Sequence, residues 1–197
     1  MTVAVVDAHT HVFSPGVLGD RARYVGHDLW FEHLYTDPRA LLITADDLLV
    51  TMDEAGVDVS IACGFPWADP GICRAHTEWM AEARRNYPGR IEFLGIVVPH
   101  DPSAARDAER AFDLGAAGIG ELNADAQGFD WENTDGVSEL GEVATTLDVP
   151  LMAHVSEPVG HDYPGKGTAT PPKILAFIQN HPDLRFVAAH WGGGLPF

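Results

Sequence analysis

The feature that most restricts the fold of this chain is a rhythm. Six short apolar runs, at residues 3–8, 57–65, 91–98, 116–122, 149–155 and 185–190, alternate with five stretches of helical periodicity. Those stretches are Thr44 to Ala55, Ile72 to Tyr87, Ser103 to Leu114, Val137 to Leu147 and Pro171 to Asn180. Short strands joined by helix-length segments read as βα units in a parallel sheet with right-handed crossovers. Thr44 and Ser103 are N-cap residues, and Thr170 followed by Pro171 is an N-cap with proline at the first helical position. Gly56, Gly89 and Gly115 follow the ends of three helices, where a left-handed residue stops the helix. No linker or low-complexity segment divides the 197 residues, and 46% hydrophobic residues supply one core, so residues 1–197 read as a single domain.

Six such units fit either a doubly wound sheet or most of an eight-stranded barrel. Long polar loops containing His and Asp follow the first and fifth strands, at 12–43 and 156–169, which is where a barrel builds its active site. No Gly-rich phosphate loop opens the first helix. The expected fold is therefore α/β, an incomplete TIM-type (β/α)8 barrel with about six βα units.

Twelve basic residues against 29 acidic ones give a net charge of −17, which opposes binding to nucleic acid and to anionic membranes. No stretch approaches a membrane span, and the N-terminus enters a strand without a signal sequence, so a soluble cytoplasmic protein is expected. The two cysteines, Cys63 and Cys73, exclude a disulfide framework and read as packing residues.

Candidate metal ligands stand at the strand ends. His9 and His11 close the first strand in Asp7-Ala8-His9-Thr10-His11, and the two-residue spacing puts both imidazoles on one side. Glu121 closes the fourth strand, His154 the fifth and His190 the sixth. In a barrel of parallel neighbours all five reach one mouth, and imidazoles converging there suit a divalent cation, zinc first, with manganese, iron or cobalt as alternatives.

The combination resembles the amidohydrolase superfamily, in particular the branch of aminocarboxymuconate-semialdehyde decarboxylase and related hydrolases. Asp7 to His11 is similar to its strand-one motif, His154 to its strand-five histidine, and Ala189-His190-Trp191-Gly192-Gly193 to its strand-six histidine and following glycines. The resemblance covers nearly the whole chain. It implies that His9, His11 and His154 hold the metal and that His190 lies beside the metal-bound water, as a base or as a ligand of a second metal. Two departures stand out. Glu121 occupies a position where many members carry lysine or an apolar residue. It resembles the glutamate ligand of TatD-like phosphodiesterases and either bridges two metals or is paired with a cation or hydrogen-bonded at the mouth. The family's aspartate after the eighth strand has no counterpart, so the chain reads as a domain lacking the last two βα units. It is then an incomplete product, or a barrel completed by a second copy in a homo-oligomer.

Other polar residues carry weaker signals. His161, Asp162, Tyr163 and Lys166 lie over the expected mouth and either select a polar substrate or form a solvated loop. Asn123 and Asp125 follow Glu121 and carry the same two readings. His27 and His33 read as substrate-side or surface groups, and His76, His100 and His181 as groups facing away from the mouth. Trp191 reads as core rather than pocket, and Asp7 as a carboxylate that orients a ligand. The expected activity on a small-molecule substrate is hydrolysis, in which metal-bound hydroxide attacks an amide, ester or lactone carbonyl with His190 moving the proton. The alternatives are metal-dependent nonoxidative decarboxylation of an unsaturated or aromatic acid, and a noncatalytic metal-binding chain.

Overall fold

The computed structural model describes residues 3–132 and 136–194. Six strands, β1 (Val6–Thr10), β2 (Val59–Ala62), β3 (Ile91–Gly95), β4 (Gly118–Leu122), β5 (Leu151–Ala153) and β6 (Phe186–Ala188), form one sheet in sequence order. Every neighbouring pair is parallel. The sheet curls: β1 and β6 are not neighbours, yet the His9 and His190 rings at their ends lie 5.2 Å apart. This is the expected incomplete barrel of six βα units.

The long first connection is not a loop but three short helices, α1 (Pro15–Gly19), α2 (Arg21–Val25) and α3 (Leu29–Tyr35). The crossovers that follow are α4 (Ala45–Ala55), α5 (Pro70–Asn86), α6 (Ala104–Asp113), a short α7 (Ala124–Gln127), α8 (Val137–Thr146) and α9 (Pro171–Asn180). The caps differ in how they work. Thr44 forms a reciprocal capping box with Asp47 and Gly56 ends α4 in a left-handed conformation, both as expected. Helix α5 starts two residues before the expected Ile72, because Asp69 accepts the Ile72 N–H at 2.9 Å and Pro70 fills the first position. Ser103 precedes α6 but its Oγ donates to the Asp107 carboxylate instead of capping a backbone N–H. Thr170 makes no cap bond either, since Pro171 and Pro172 leave the first turn without its early donors.

The main core lies between the sheet and its helices. A smaller cluster fills the inside of the curl, built from Cys63, Leu94, Met152 and Ala189. Cys63 lies at this inner floor with its Sγ 3.5 Å from Met152 Sδ, and burial, then the Glu121 charge, pushes its thiol up to about 12. Burial also raises the Cys73 thiol. Both cysteines therefore remain protonated packing groups. Val3 and Val5, ahead of β1, are exposed together with Val6 of β1, and β6 exposes Val187. No helix among the described residues is long and apolar enough to cross a membrane.

Candidate metal centre

Backbone irregularities aim the site residues. The β1–β2 register shifts between Asp7 and Thr10, and the β4–β5 register between Ile119 and Leu122, so each break lies beside a candidate ligand. Gly64, just after β2, donates its N–H to the Gly120 oxygen at 2.9 Å and accepts the Glu121 N–H at 3.1 Å. That close approach requires glycine, since a Cβ on Gly64 would lie 2.4 Å from Ile96 Cβ. The sixth strand stops at Ala188, and His190 to Gly193 form a left-handed turn with φ between 55° and 61°. The turn is costly for His190 and Trp191 and easy for the glycines that follow. A Cβ on Gly193 would lie 2.5 Å from the Ser156 oxygen.

These devices bring four imidazoles around one carboxylate. Glu121 is only 3% exposed, and its two oxygens divide the histidines between them. Oε2 lies 3.0 Å from His9 Nε2 and 3.2 Å from His11 Nε2, and those two nitrogens are 3.2 Å apart. Oε1 lies 3.2 Å from His154 Nδ1 and 3.6 Å from His190 Nε2. His9, Glu121 and His190 also present ligand atoms all within 4.8 Å of one another.

The far nitrogens of three rings face backbone oxygens: His11 Nδ1 faces Cys63 O at 3.1 Å, His154 Nε2 faces Gly165 O at 3.0 Å, and His190 Nδ1 faces Val155 O at 3.2 Å. A carbonyl only accepts, so the ring nitrogen facing it carries the hydrogen. In a neutral ring the other nitrogen is then bare, and it points at the carboxylate. A lone pair facing a carboxylate oxygen at 3.2 Å is repulsive unless a proton or a metal cation stands between them. Backbone carbonyls behind ligating imidazoles are also the usual support of a metal site. Tetrahedral bonds of about 2.0–2.1 Å give ligand–ligand edges of about 3.3–3.4 Å, close to the contacts on Oε2. The donor set thus fits a divalent cation.

With protons in that place, the titration follows the same geometry. Burial opposes the Glu121 charge, but hydrogen bonds from His11, His154 and His9 prevail and hold its carboxyl well below the usual range. Burial likewise opposes a charge on His9, and the Glu121 hydrogen bond and charge, with Asp7, outweigh it and raise its pKa. His190 goes the other way, because burial there exceeds the pull of Glu121.

Above the cluster lies a cavity of about 270 Å³, lined by His11, Glu121, Asn123, His154 and His190 and walled by Trp30, Tyr35, Phe65 and Tyr163. Trp30, Leu34 and Tyr35 come from α3, where Asp28 caps the Phe31 N–H at 2.8 Å. Sequence reasoning passed over α3 because its element was hidden inside a polar connection. The signal available was an Asp cap before Leu29-Trp30-Phe31, with Leu34 and Tyr35 one turn later. Tyr163, Pro164 and Gly165 of the loop after β5 cover the mouth as expected. Lys166 is engaged in bracing that loop, donating to Val159 O at 3.0 Å and His161 O at 3.3 Å. Asp125 anchors the loop too, accepting the Thr168 N–H at 2.7 Å.

Other sequence candidates lie apart. His27 faces Asp69 at 3.5 Å, and His33 packs on Trp30 with ring centroids 6.0 Å apart. His76 is buried among Phe13, Trp67 and Trp79, and His181 stacks on Phe177. Asp7 accepts the His9 backbone N–H at 3.2 Å, fixing the strand end rather than an imidazole. Trp191, expected in the core, is 75% exposed, because the left-handed turn after β6 carries it outward.

Known structures share this architecture. A 2,6-dihydroxybenzoate decarboxylase complexed with 2,6-dihydroxybenzoate superposes with a TM-score of 0.68 at 24% identity, over 99% of this chain and 69% of that one. A 5-carboxyvanillate decarboxylase from Novosphingobium aromaticivorans, complexed with manganese and 4-hydroxy-3-methoxy-5-nitrobenzoic acid, gives a TM-score of 0.76 at 20% identity, over 98% and 66%. The 4-oxalomesaconate hydratase of Rhodopseudomonas palustris gives 0.63 at 20%, over 98% and 64%. The chain thus spans about two thirds of each. No curated protein matches the sequence. A family model described as amidohydrolase matches residues 6–196, and the chain belongs to the amidohydrolase family.

Proposed function

We propose that this chain carries the metal centre and much of the substrate pocket of a metal-dependent carboxy-lyase acting on an aromatic or unsaturated acid. The observation that carries this reading is the cavity itself, in which four aromatic side chains wall a space whose floor is the Glu121–histidine cluster. Flat apolar walls suit a planar unsaturated ring, and two of the structural neighbours are named as decarboxylases of such acids. His9, His11, Glu121 and His154 would hold the cation, and His190 lies beside them against Glu121. Nitrogen and carboxylate donors suit zinc and manganese alike. When bound, the cation supplies Lewis acidity and lowers the pKa of a water molecule.

The chain's own groups supply the rest. The aromatic walls orient the ring and exclude water. Loss of carbon dioxide breaks a C–C bond, and the ring carbon takes a proton in place of the carboxylate. His190, with its Nδ1 hydrogen on Val155 O, presents a bare Nε2 that takes a proton from water and passes it to that carbon. The same bare Nε2 favours a second reading: burial keeps His190 neutral and able to accept a proton from water, as hydrolysis of an amide, ester or lactone requires.

The test is product analysis with protein loaded with manganese or zinc, offered hydroxybenzoic and unsaturated acids beside amides, esters and lactones. Carbon dioxide released in step with loss of the acid supports the carboxy-lyase. Uptake of labelled water oxygen into a cleaved amide, ester or lactone supports the hydrolase instead. Bound metal without turnover of any substrate leaves the noncatalytic reading.

A further inference from the structure

Asn123 stands two residues beyond Glu121, at the turn from β4 into α7, and its side chain is oriented from one end only. Its Oδ1 accepts the backbone N–H groups of Asp125 at 3.0 Å and Ala126 at 3.1 Å. An amide nitrogen cannot accept, so these two donors fix which end of the side chain faces the helix. The rest of the turn is locked as well. The Asn123 N–H donates to Gln127 Oε1 at 3.1 Å, and Gln127 Nε2 donates to Val97 O at 2.7 Å. Nδ2 is thereby directed away from α7, is buried and has no hydrogen-bond partner, in a residue only 1% exposed.

Buried donors are almost always paired, so an unpaired one that cannot rotate away asks for an acceptor. The other buried, unpartnered side-chain atoms among the described residues belong to Ser60, Trp67, His76 and Trp131, and none of these lines the cavity above the cluster. Asn123 does line it, together with Glu121. The backbone at Asn123 is still extended as it leaves β4, and both residues border the same space.

We infer that Asn123 Nδ2 is a substrate-binding donor, which receives an oxygen of the aromatic acid while another part of that acid meets the metal centre. The inference rests on the carboxy-lyase reading and adds to it the group that would fix how the acid lies in the cavity. Asn123 would serve twice: Oδ1 holds the helix and Nδ2 holds the ligand.

The experiment uses manganese-loaded protein and two probes, 2,6-dihydroxybenzoate and 4-hydroxy-3-methoxy-5-nitrobenzoic acid, with dissociation constants measured by calorimetry. Asn123→Asp and Asn123→Ser both keep an oxygen for the α7 N–H groups and remove the amide donor. Both variants are expected to melt within a few degrees of wild type and to lose affinity by about tenfold or more, as befits a lost hydrogen bond to a charged acceptor. Asp should be the weaker binder, because it places a carboxylate where the acid's oxygen would sit. A purely structural role predicts the opposite order, since Asp is at least as good a cap as Ser. Affinity unchanged within about twofold, or affinity lost only in parallel with melting temperature, overturns the inference and leaves the carboxy-lyase reading intact. Failure of wild type to bind either acid overturns both.

Discussion

His76 connects the pocket wall to acid stability, and its effect is calculable. It lies on α5, 5% exposed, with Phe13, Trp67 and Trp79 around its ring and no partner for its Nε2. Phe13 and Trp67 in turn pack on Phe31 and Phe65, which support the cavity wall. Burial above all, with a smaller push from His11, lowers the His76 pKa to about 3. In the unfolded chain it is about 6.5. Between those two values the unfolded state binds the proton and the folded state does not, so stability rises with pH. The contribution is therefore complete above pH 6.5 and is lost as the pH falls, at about 1.36 kcal/mol per unit. From pH 6.5 to pH 5.0 the loss is about 2 kcal/mol, a large share of the ~5–15 kcal/mol typical of a domain. His76→Leu removes the titration at similar volume. The assay is urea unfolding of both proteins at pH 7.0 and pH 5.0, with the same divalent cation concentration. The wild type should lose about 2 kcal/mol more than the variant between the two pH values. An equal loss in both proteins would falsify the assignment of His76 as a buried neutral group.

Three further outcomes follow from the candidate metal centre. Glu121→Gln removes the charge that all four imidazoles face, so retained metal after dialysis, read by elemental analysis, should drop with affinity weakened at least about tenfold; full retention would show that Glu121 is not a ligand. Because the His9 pKa is raised, its pairing with Glu121 stabilises the protein at low pH and is lost as the pH rises through that pKa, while metal must displace the same proton. Calorimetric metal affinity should accordingly climb with pH by up to about tenfold per unit below the His9 pKa and then level off, and a flat profile would exclude His9 from the centre. Gly64→Ala forces a Cβ to within 2.4 Å of Ile96 Cβ, so it should cost about 1–3 kcal/mol in thermal unfolding and loosen metal retention through Glu121; an unaffected melt and metal content would refute the close-approach argument.

Much of the fold was legible because it is written in periods. Short apolar runs, helix-length spacers and a Thr44 cap are local signals, and each expected strand and crossover helix appears with its ends shifted by a few residues. What could not be read was non-local or conformational. Helix α3 is seven residues long and rests on packing of Phe31 against Phe13, Phe65 and Trp67, which come from distant segments. The left-handed turn at His190 looks like a continuation of an apolar strand in sequence, and only its geometry explains why three glycines follow and why Trp191 is exposed.

The candidate site was legible as a set of residue types but not as an arrangement. Parity along β1 puts His9 and His11 on one side, and strand-end position puts Glu121, His154 and His190 at one mouth. Nothing in the spacing says that the four imidazoles divide between the two oxygens of one carboxylate, because that depends on the Gly64 contact and on two register shifts. Nor does it say which ring nitrogen faces inward. The carbonyls of Cys63, Val155 and Gly165 appear to no motif search, since a backbone oxygen has no residue identity. Yet those carbonyls, by fixing the hydrogen on the far side of each ring, turn three histidines into bare nitrogens aimed at a carboxylate. That arrangement is repulsive unless a proton or a metal cation stands between ring and carboxylate, so the case for a metal here rests on the electrostatics of the site as well as on likeness to a family.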